Sequence, residues 1–234
     1  YNKEEIFYLN NDSPYFQMIG RAMNRDVSIR EEYDRNEHNR KEIKKFSILK
    51  NINDNLKEYK KVKKKLDFND MIYQLIEKED LPKFKVIFID EAQDLSPLQW
   101  KLFDKLKEHA DDIYLAGDDD QAIFAWAGAD VNRFINEPAK ETVLKYSKRI
   151  SKAIQEQSTT PLTNIVGQRK LKQYYPRDYE GLSERINNLD QVNLTQGNWL
   201  IQTRTVSRLN KMIKELRKRN LYYETNKGKS FKVR

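Results

Sequence analysis

The chain of 234 residues is 34% charged and 38% hydrophobic, and Lys and Arg outnumber Asp and Glu by 44 to 36. It has no cysteine, which excludes a disulfide framework and a thiolate zinc site. No apolar run nears the roughly 20 residues of a membrane span, which excludes a spanning helix, and no membrane partner is expected. The charge falls in blocks: net +5 over residues 1–66, −10 over 67–130 and +13 over 131–234. That pattern suits a cation site beside polyanion-binding surfaces, or simply solvated helices. The missing cysteines fit a reducing compartment, expected to be the cytoplasm of a bacterium or of a phage-infected cell.

The first 66 residues are expected to be helical. Ser13-Pro14 marks a helix entry, and Glu31–Lys65 reads as one long amphipathic helix with Ile43, Phe46, Leu49, Ile52, Leu56 and Tyr59 three or four apart. Asn51, Asn53 and Asn55 are weak helix formers and mark where it would break. Its basic end, Lys60–Lys65, either touches phosphates or is a solvated helix end favoured by the macrodipole. A second helix over Leu66–Ile76 has Asp67 as its cap, and Leu81-Pro82 closes it. Val86–Ile89 then reads as a buried, parallel strand. Ser96-Pro97 opens a helix over Leu98–Glu108, and Asp111-Asp112 turns into a second strand, Ile113–Ala116. Thr142–Gln155 reads as a loop and helix capped by Ser147 or Ser151, with Ile150 and Ile154 inward. Further on come a basic stretch (Arg169, Lys170, Lys172), a helix over Glu180–Leu189 and a third strand, Trp199–Thr203. The helix Val206–Arg219 and a short strand, Leu221–Glu224, follow.

Chemistry concentrates after the first two strands. Asp90 and Glu91 stand at the C-terminal end of Val86–Ile89, where open α/β sheets bind ligands. One carboxylate can hold Mg²⁺ through water, and the other can orient or deprotonate an attacking water. The plainer alternative is an exposed acidic pair at a helix start. Gly117–Asp130, GDDDQAIFAWAGAD, follows the second strand. Three successive aspartates need cations or amide donors around them. Gln121 can donate to a phosphate oxygen and accept from water, which suits a sensor of a γ-phosphate. Phe124 and Trp126, set among alanines, form either a stacking platform for unpaired bases or core filling. His38 and His109 are isolated and read as surface residues.

IDEAQD (Ile89–Asp94) and GDDDQAIFAWAGAD (Gly117–Asp130), one helix and one strand apart, resemble the UvrD/Rep/PcrA family of superfamily 1A DNA helicases. LDFNDM (Leu66–Met71), SKRI (Ser147–Ile150), LIQTRT (Leu200–Thr205) and YYET (Tyr222–Thr225) support the resemblance, which covers roughly residues 60–234. It implies an α/β fold of partial RecA-like parallel sheets with a helical insertion. Residues 1–82 would be that insertion, 83–140 the second part of the first RecA-like domain and 141–234 the start of the second. It further implies an ATP-driven helicase of DNA repair or replication, moving 3′ to 5′ on single-stranded DNA and acting at single-strand/duplex junctions, with ATP and Mg²⁺ as cofactors. On that resemblance Asp90 holds Mg²⁺, Glu91 is the catalytic base, and Gln93 and Asp94 tie the motif to the nucleotide and the neighbouring loop. Gln121 reads the γ-phosphate, Arg149 reaches it across the domain cleft, and Phe124 and Trp126 stack on bases.

The chain departs from the family pattern in two places. Ala127-Gly128 stands where the family often has Arg-Gly, and SKRI replaces NYRS, so that Lys148 takes the tyrosine position. Gly228-Lys229-Ser230 imitates the end of a phosphate-binding loop, but Tyr223 occupies the place of its first glycine. With neither that loop nor the final arginine motif in these residues, the chain alone is expected not to hydrolyse ATP. A non-catalytic module that binds DNA or a partner is the alternative. A helicase–nuclease subunit is a third possibility, for which no nuclease carboxylate cluster is visible.

Overall fold

The computed structural model describes residues 13–35, 43, 45–164 and 169–225, which fall in two compact units, residues 1–180 and 181–234. In the first, α1 (Pro14–Asn24), α2 (Ile29–Arg35) and α3 (Phe46–Lys63) close on a core of Met18, Ile19, Ile43 and Leu49. Glu32 is buried in this region and is held by Arg21 at 3.0 Å and Arg25 at 2.8 Å, the pairing that a buried carboxylate requires. The single long helix expected from residue 31 is therefore two helices, with residues 36–42 outside the described residues. α3 runs unbroken through its three asparagines. Leu49 is buried, Ile52 and Leu56 pack against the same core, and this packing outweighs the small propensity penalty.

α4 (Phe68–Glu77) begins with the expected cap: Asp67 and Asp70 exchange side-chain-to-backbone hydrogen bonds at 2.9 Å each. Tyr73 on α4 donates to Asp26 at 2.9 Å; burial, then this bond, pushes its phenol up to about 12.

Strand β1 (Phe84–Ile89), α5 (Pro97–Lys107) and β2 (Ala110–Leu115) form the α/β part. The two strands pair in parallel, with Val86 opposite Asp112 and Ile89 opposite Leu115. Ser96 and Gln99 form a reciprocal cap at the start of α5, and Leu98, Trp100 and Phe103 bury its inner face. Two expectations change here. Asp111 and Asp112 lie within β2, because Ala110 and Asp112 on either side of Asp111 pair with β1 while both aspartate side chains stay exposed. β1 is parallel but not buried: Phe84, Val86 and Phe88 are exposed on one face, Phe88 76% so, and its ring stacks on Tyr114 at 5.1 Å. A two-stranded sheet covered on one side leaves every second residue open.

α6 (Val131–Asn136) follows, capped by Asp130. α7 (Lys152–Thr163) has Ser151 at its N-cap position without a side-chain bond, whereas Ser147 accepts the N–H groups of Arg149 and Ile150 in a preceding turn. Ile154, expected inward, is exposed. Residues 173–180 run alongside residues 145–153 in the same direction, with a parallel bridge between Tyr146 and Tyr175.

In the second unit α8 (Val206–Lys218) forms as its periodicity predicts, capped by Thr205. The helix expected over Glu180–Leu189 does not form, and only a 3₁₀ turn, Leu189–Gln191, stands at its end. The strand expected at Trp199–Thr203 is irregular, with Trp199 and Leu200 exposed, and the one expected at Leu221–Glu224 is reduced to a single bridge residue, Tyr223. A strand pattern becomes a strand only where a ladder of several residues forms. Gly228-Lys229-Ser230 lies outside the described residues. Among the described residues no helix is long and apolar enough to cross a membrane.

Candidate functional site

The site grows from the ends of the two parallel strands. Asp90 leaves β1 exposed, and its Oδ1 accepts the Glu91 N–H at 2.9 Å. Glu91 has φ 54° and ψ 39°, a left-handed conformation that costs an L-residue roughly 1–2 kcal/mol. The kink throws the chain into the 3₁₀ turn Ala92–Asp94 and leaves the Glu91 carboxylate exposed.

Gln93 lies beneath and is buried. Its Nε2 donates to Glu91 Oε2 at 2.7 Å and to Asp94 at 3.4 Å, and its Oε1 accepts the N–H of Asp118 at 2.9 Å. One amide thus joins the loop after β1 to the loop after β2. Gly117 makes room for it: a Cβ there would lie 2.6 Å from Gln93 Oε1 and 2.8 Å from the Phe134 ring. Asp94 keeps one buried oxygen without a hydrogen-bond partner, and burial, then the charge of Glu91, pushes its carboxyl above the usual range.

The second loop turns at Asp118–Gln121. Asp118 accepts Gln121 Nε2 at 2.6 Å and the Asp120 N–H at 3.2 Å. Gln121 is exposed, so its Oε1 and second N–H face solvent. Phe124 and Trp126 follow around the 3₁₀ turn Ala125–Ala127; both rings are exposed, Trp126 70% so, with centroids 6.4 Å apart. Neither fills the core.

Among the described residues no group of three His, Asp or Glu side chains gathers around one point as an all-protein metal cage. Asp90 can still serve a hard cation that takes its other oxygens from water and a phosphate, the usual arrangement for Mg²⁺. The exposed carboxylates at the parallel strand ends and the exposed amide of Gln121 fit the acidic wall of a nucleotide site.

A family model of the UvrD/REP helicase N-terminal domain matches residues 9–142, more than half of the chain. The chain belongs to the UvrD/REP helicase family. The ATP-dependent DNA helicase PcrA of Bacillus subtilis is 30% identical over 131 residues, half of this chain and 18% of that protein. The ATP-dependent DNA helicase Rep of Buchnera aphidicola subsp. Baizongia pistaciae is 35% identical over 78 residues, 30% of this chain and 12% of that protein. The RecBCD enzyme subunit RecB of Buchnera aphidicola subsp. Schizaphis graminum is 29% identical over 157 residues, 60% of this chain and 12% of that protein. The chain therefore spans less than a fifth of these relatives' own lengths.

In this UvrD/REP-type chain, Glu91, Gln93, Asp94, Asp118 and Gln121 share one hydrogen-bonded network. Asp90 adjoins it through the Glu91 N–H. Arg149 does not join: it is exposed, its backbone is held by Ser147, and among the described residues no bond links its side chain to Asp90, Glu91, Gln93 or Gln121. The structure adds residues to the site that no motif marked, Arg169, Lys170 and Lys172, which bind the three aspartates. Their signal in the sequence was indirect, since three adjacent carboxylates call for cations without saying which.

A groove of about 520 Å³ lies apart from this site, between the end of α3 and α4, lined by Lys57, Lys61, Lys64, Lys65 and Tyr73. Lys60 also borders it but is held by Asp67 at 2.5 Å and Asp70 at 2.7 Å.

Proposed function

We propose that this chain is part of an ATP-dependent DNA helicase that moves 3′ to 5′ along single-stranded DNA and opens duplex at junctions. Residues 1–82 serve as a helical insertion, 83–140 as the second part of a first RecA-like domain and 141–234 as the start of a second. The observation that carries this reading is Gln93, whose amide couples Glu91 to the loop that bears Gln121.

When bound, Mg²⁺·ATP supplies the phosphoanhydride to be cleaved. Asp90 would hold the metal, which would polarise the phosphate, and Glu91 accepts a proton from the attacking water. Gln121 offers its free N–H to a γ-phosphate oxygen. Arg149, which stands apart from the network here, would supply the guanidinium that stabilises transition-state charge. Phe124 and Trp126 present exposed faces to unpaired bases.

Glu91→Gln in the complete protein is expected to lower single-stranded-DNA-stimulated ATP turnover by about 10²–10⁴-fold, the usual weight of a general base. Steady-state phosphate release measures it. Wild-type turnover in that variant removes Glu91 from the reaction. Absence of ATP turnover in the complete wild-type protein, together with intact DNA binding, makes the chain a binding module instead.

A further inference from the structure

Arg169, Lys170 and Lys172 follow α7 and take no part in the reaction described above, yet they account for the acidic turn. Arg169 donates from Nε and Nη2 to the two oxygens of Asp120 at 2.7 and 2.8 Å, a two-point fork that fixes direction as well as charge. Lys172 Nζ lies 2.7 Å from Asp118 and 3.3 Å from Asp120, and it also pairs with Asp119. The backbone N–H of Lys170 donates to Asp119 at 2.8 Å. The side chains of Asp119 and Asp120 are 5% and 6% exposed, so three adjacent carboxylates persist there only because these cations compensate them.

From the aspartates the contacts run on into the site. Asp118, held by Lys172, accepts from Gln121 at 2.6 Å and donates its N–H to Gln93, which in turn holds Glu91. The same basic segment continues to the turn of Arg149. Tyr175 accepts the Ser147 N–H at 2.8 Å, and the Arg177 N–H donates to Ile150 at 3.0 Å, so the contacts flank Arg149 on both sides. Residues 169–180 form a strap with the acidic turn at one end and the Arg149 turn at the other.

The geometry points to Arg169 and Lys172 as positioning residues: they fix the Asp118–Asp120 turn, and with it Gln121 and Glu91, relative to Arg149. This rests on the reading of Glu91 and Gln121 as nucleotide-site residues. Neither cation touches nucleotide or DNA on this view, because both are spent on the aspartates. A misplacement of about 1 Å in a catalytic constellation costs on the order of 10²-fold in rate.

The test is steady-state ATP turnover with saturating single-stranded DNA in the complete protein, for Arg169→Gln, Lys172→Met, the swap Asp120→Arg with Arg169→Asp, and Glu91→Gln, with a thermal melt of each. Arg169→Gln and Lys172→Met are expected to lower kcat by about 10- to 100-fold while KM for ATP stays within about twofold. The swap is expected to recover at least part of the loss in kcat. Should Arg169→Gln fail to fold, Arg169→Lys keeps the charge and loses the fork; reduced kcat then supports the role and wild-type kcat overturns it. Wild-type kcat in Arg169→Gln and Lys172→Met, alongside a crippled Glu91→Gln, overturns the positioning role and leaves the nucleotide site standing. Wild-type turnover in Glu91→Gln overturns both.

Discussion

At the scale of single residues, the site depends on one small residue and one buried amide. Gly117 has no space for a side chain, since a Cβ would meet Gln93 Oε1 at 2.6 Å and the Phe134 ring at 2.8 Å. Gln93 is buried and bonded at both ends, so it cannot swing aside without losing partners. Gly117→Ala is expected to destabilise the fold by about 1–3 kcal/mol, the usual cost of overpacking, and to lower ATP turnover by separating the two loops. Urea unfolding followed by circular dichroism checks the first part. Trp126 is the opposite case. It is 70% exposed, so Trp126→Ala should change stability by no more than about 0.5 kcal/mol. If the ring stacks on a base, the same change weakens single-stranded DNA binding by about 1–3 kcal/mol, read by anisotropy of a labelled oligonucleotide. The identities of Asp90, Glu91, Gln93 and Gln121 were legible as motifs. The left-handed backbone of Glu91 was not, because it is imposed by the joint between β1 and the loop after it.

At the scale of elements, legibility followed locality. The caps at Asp67 and Ser96 involve residues three apart and could be read directly, as could the apolar stripe of α8. Strands at Trp199–Thr203 and Leu221–Glu224 could not be judged that way, because a strand exists only with a partner. The strap from residue 169 to residue 180 was equally hidden, its ion pairs joining residues about fifty positions apart. Its charge pairs carry a pH signature. The Arg169 fork, working against burial, holds the Asp120 carboxyl below its usual range. For Asp118, burial pushes upward, but bonds from Gln121 and Lys172 outweigh it and hold the group low. A carboxylate lowered in the folded state adds stability that is present above its ordinary value near about pH 4 and is lost as pH falls through the lowered value. The Tm of the wild type is therefore expected to exceed that of the double variant Arg169→Gln/Lys172→Met near neutrality. The gap should close as pH falls toward about 2. A constant gap across that range means that the pairs do not contribute through charge.

At the scale of the whole molecule, net charge says less than where each charge is spent. The excess over residues 131–234 suggested polyanion binding, yet Arg169 and Lys172 are consumed by aspartates, as Lys60 is by Asp67 and Asp70. Lys57, Lys61 and Lys64 differ: all three are exposed, and they line one groove between α3 and α4. Binding of a single strand through phosphates releases counterions, so the logarithm of affinity falls with the logarithm of salt by about 0.7 per phosphate neutralised. If DNA runs through this groove, Lys57→Gln/Lys61→Gln/Lys64→Gln should reduce that slope by about 2, since three contacts at about 0.7 each are lost. Arg169→Gln/Lys172→Met should leave the slope unchanged, although it alters the same formal charge by nearly as much. Fluorescence titrations of the complete protein with oligonucleotide across a series of salt concentrations measure both. An unchanged slope in the triple variant makes the basic end of α3 a solvated helix end; a reduced slope in the double variant means that the cations of the strap reach DNA after all.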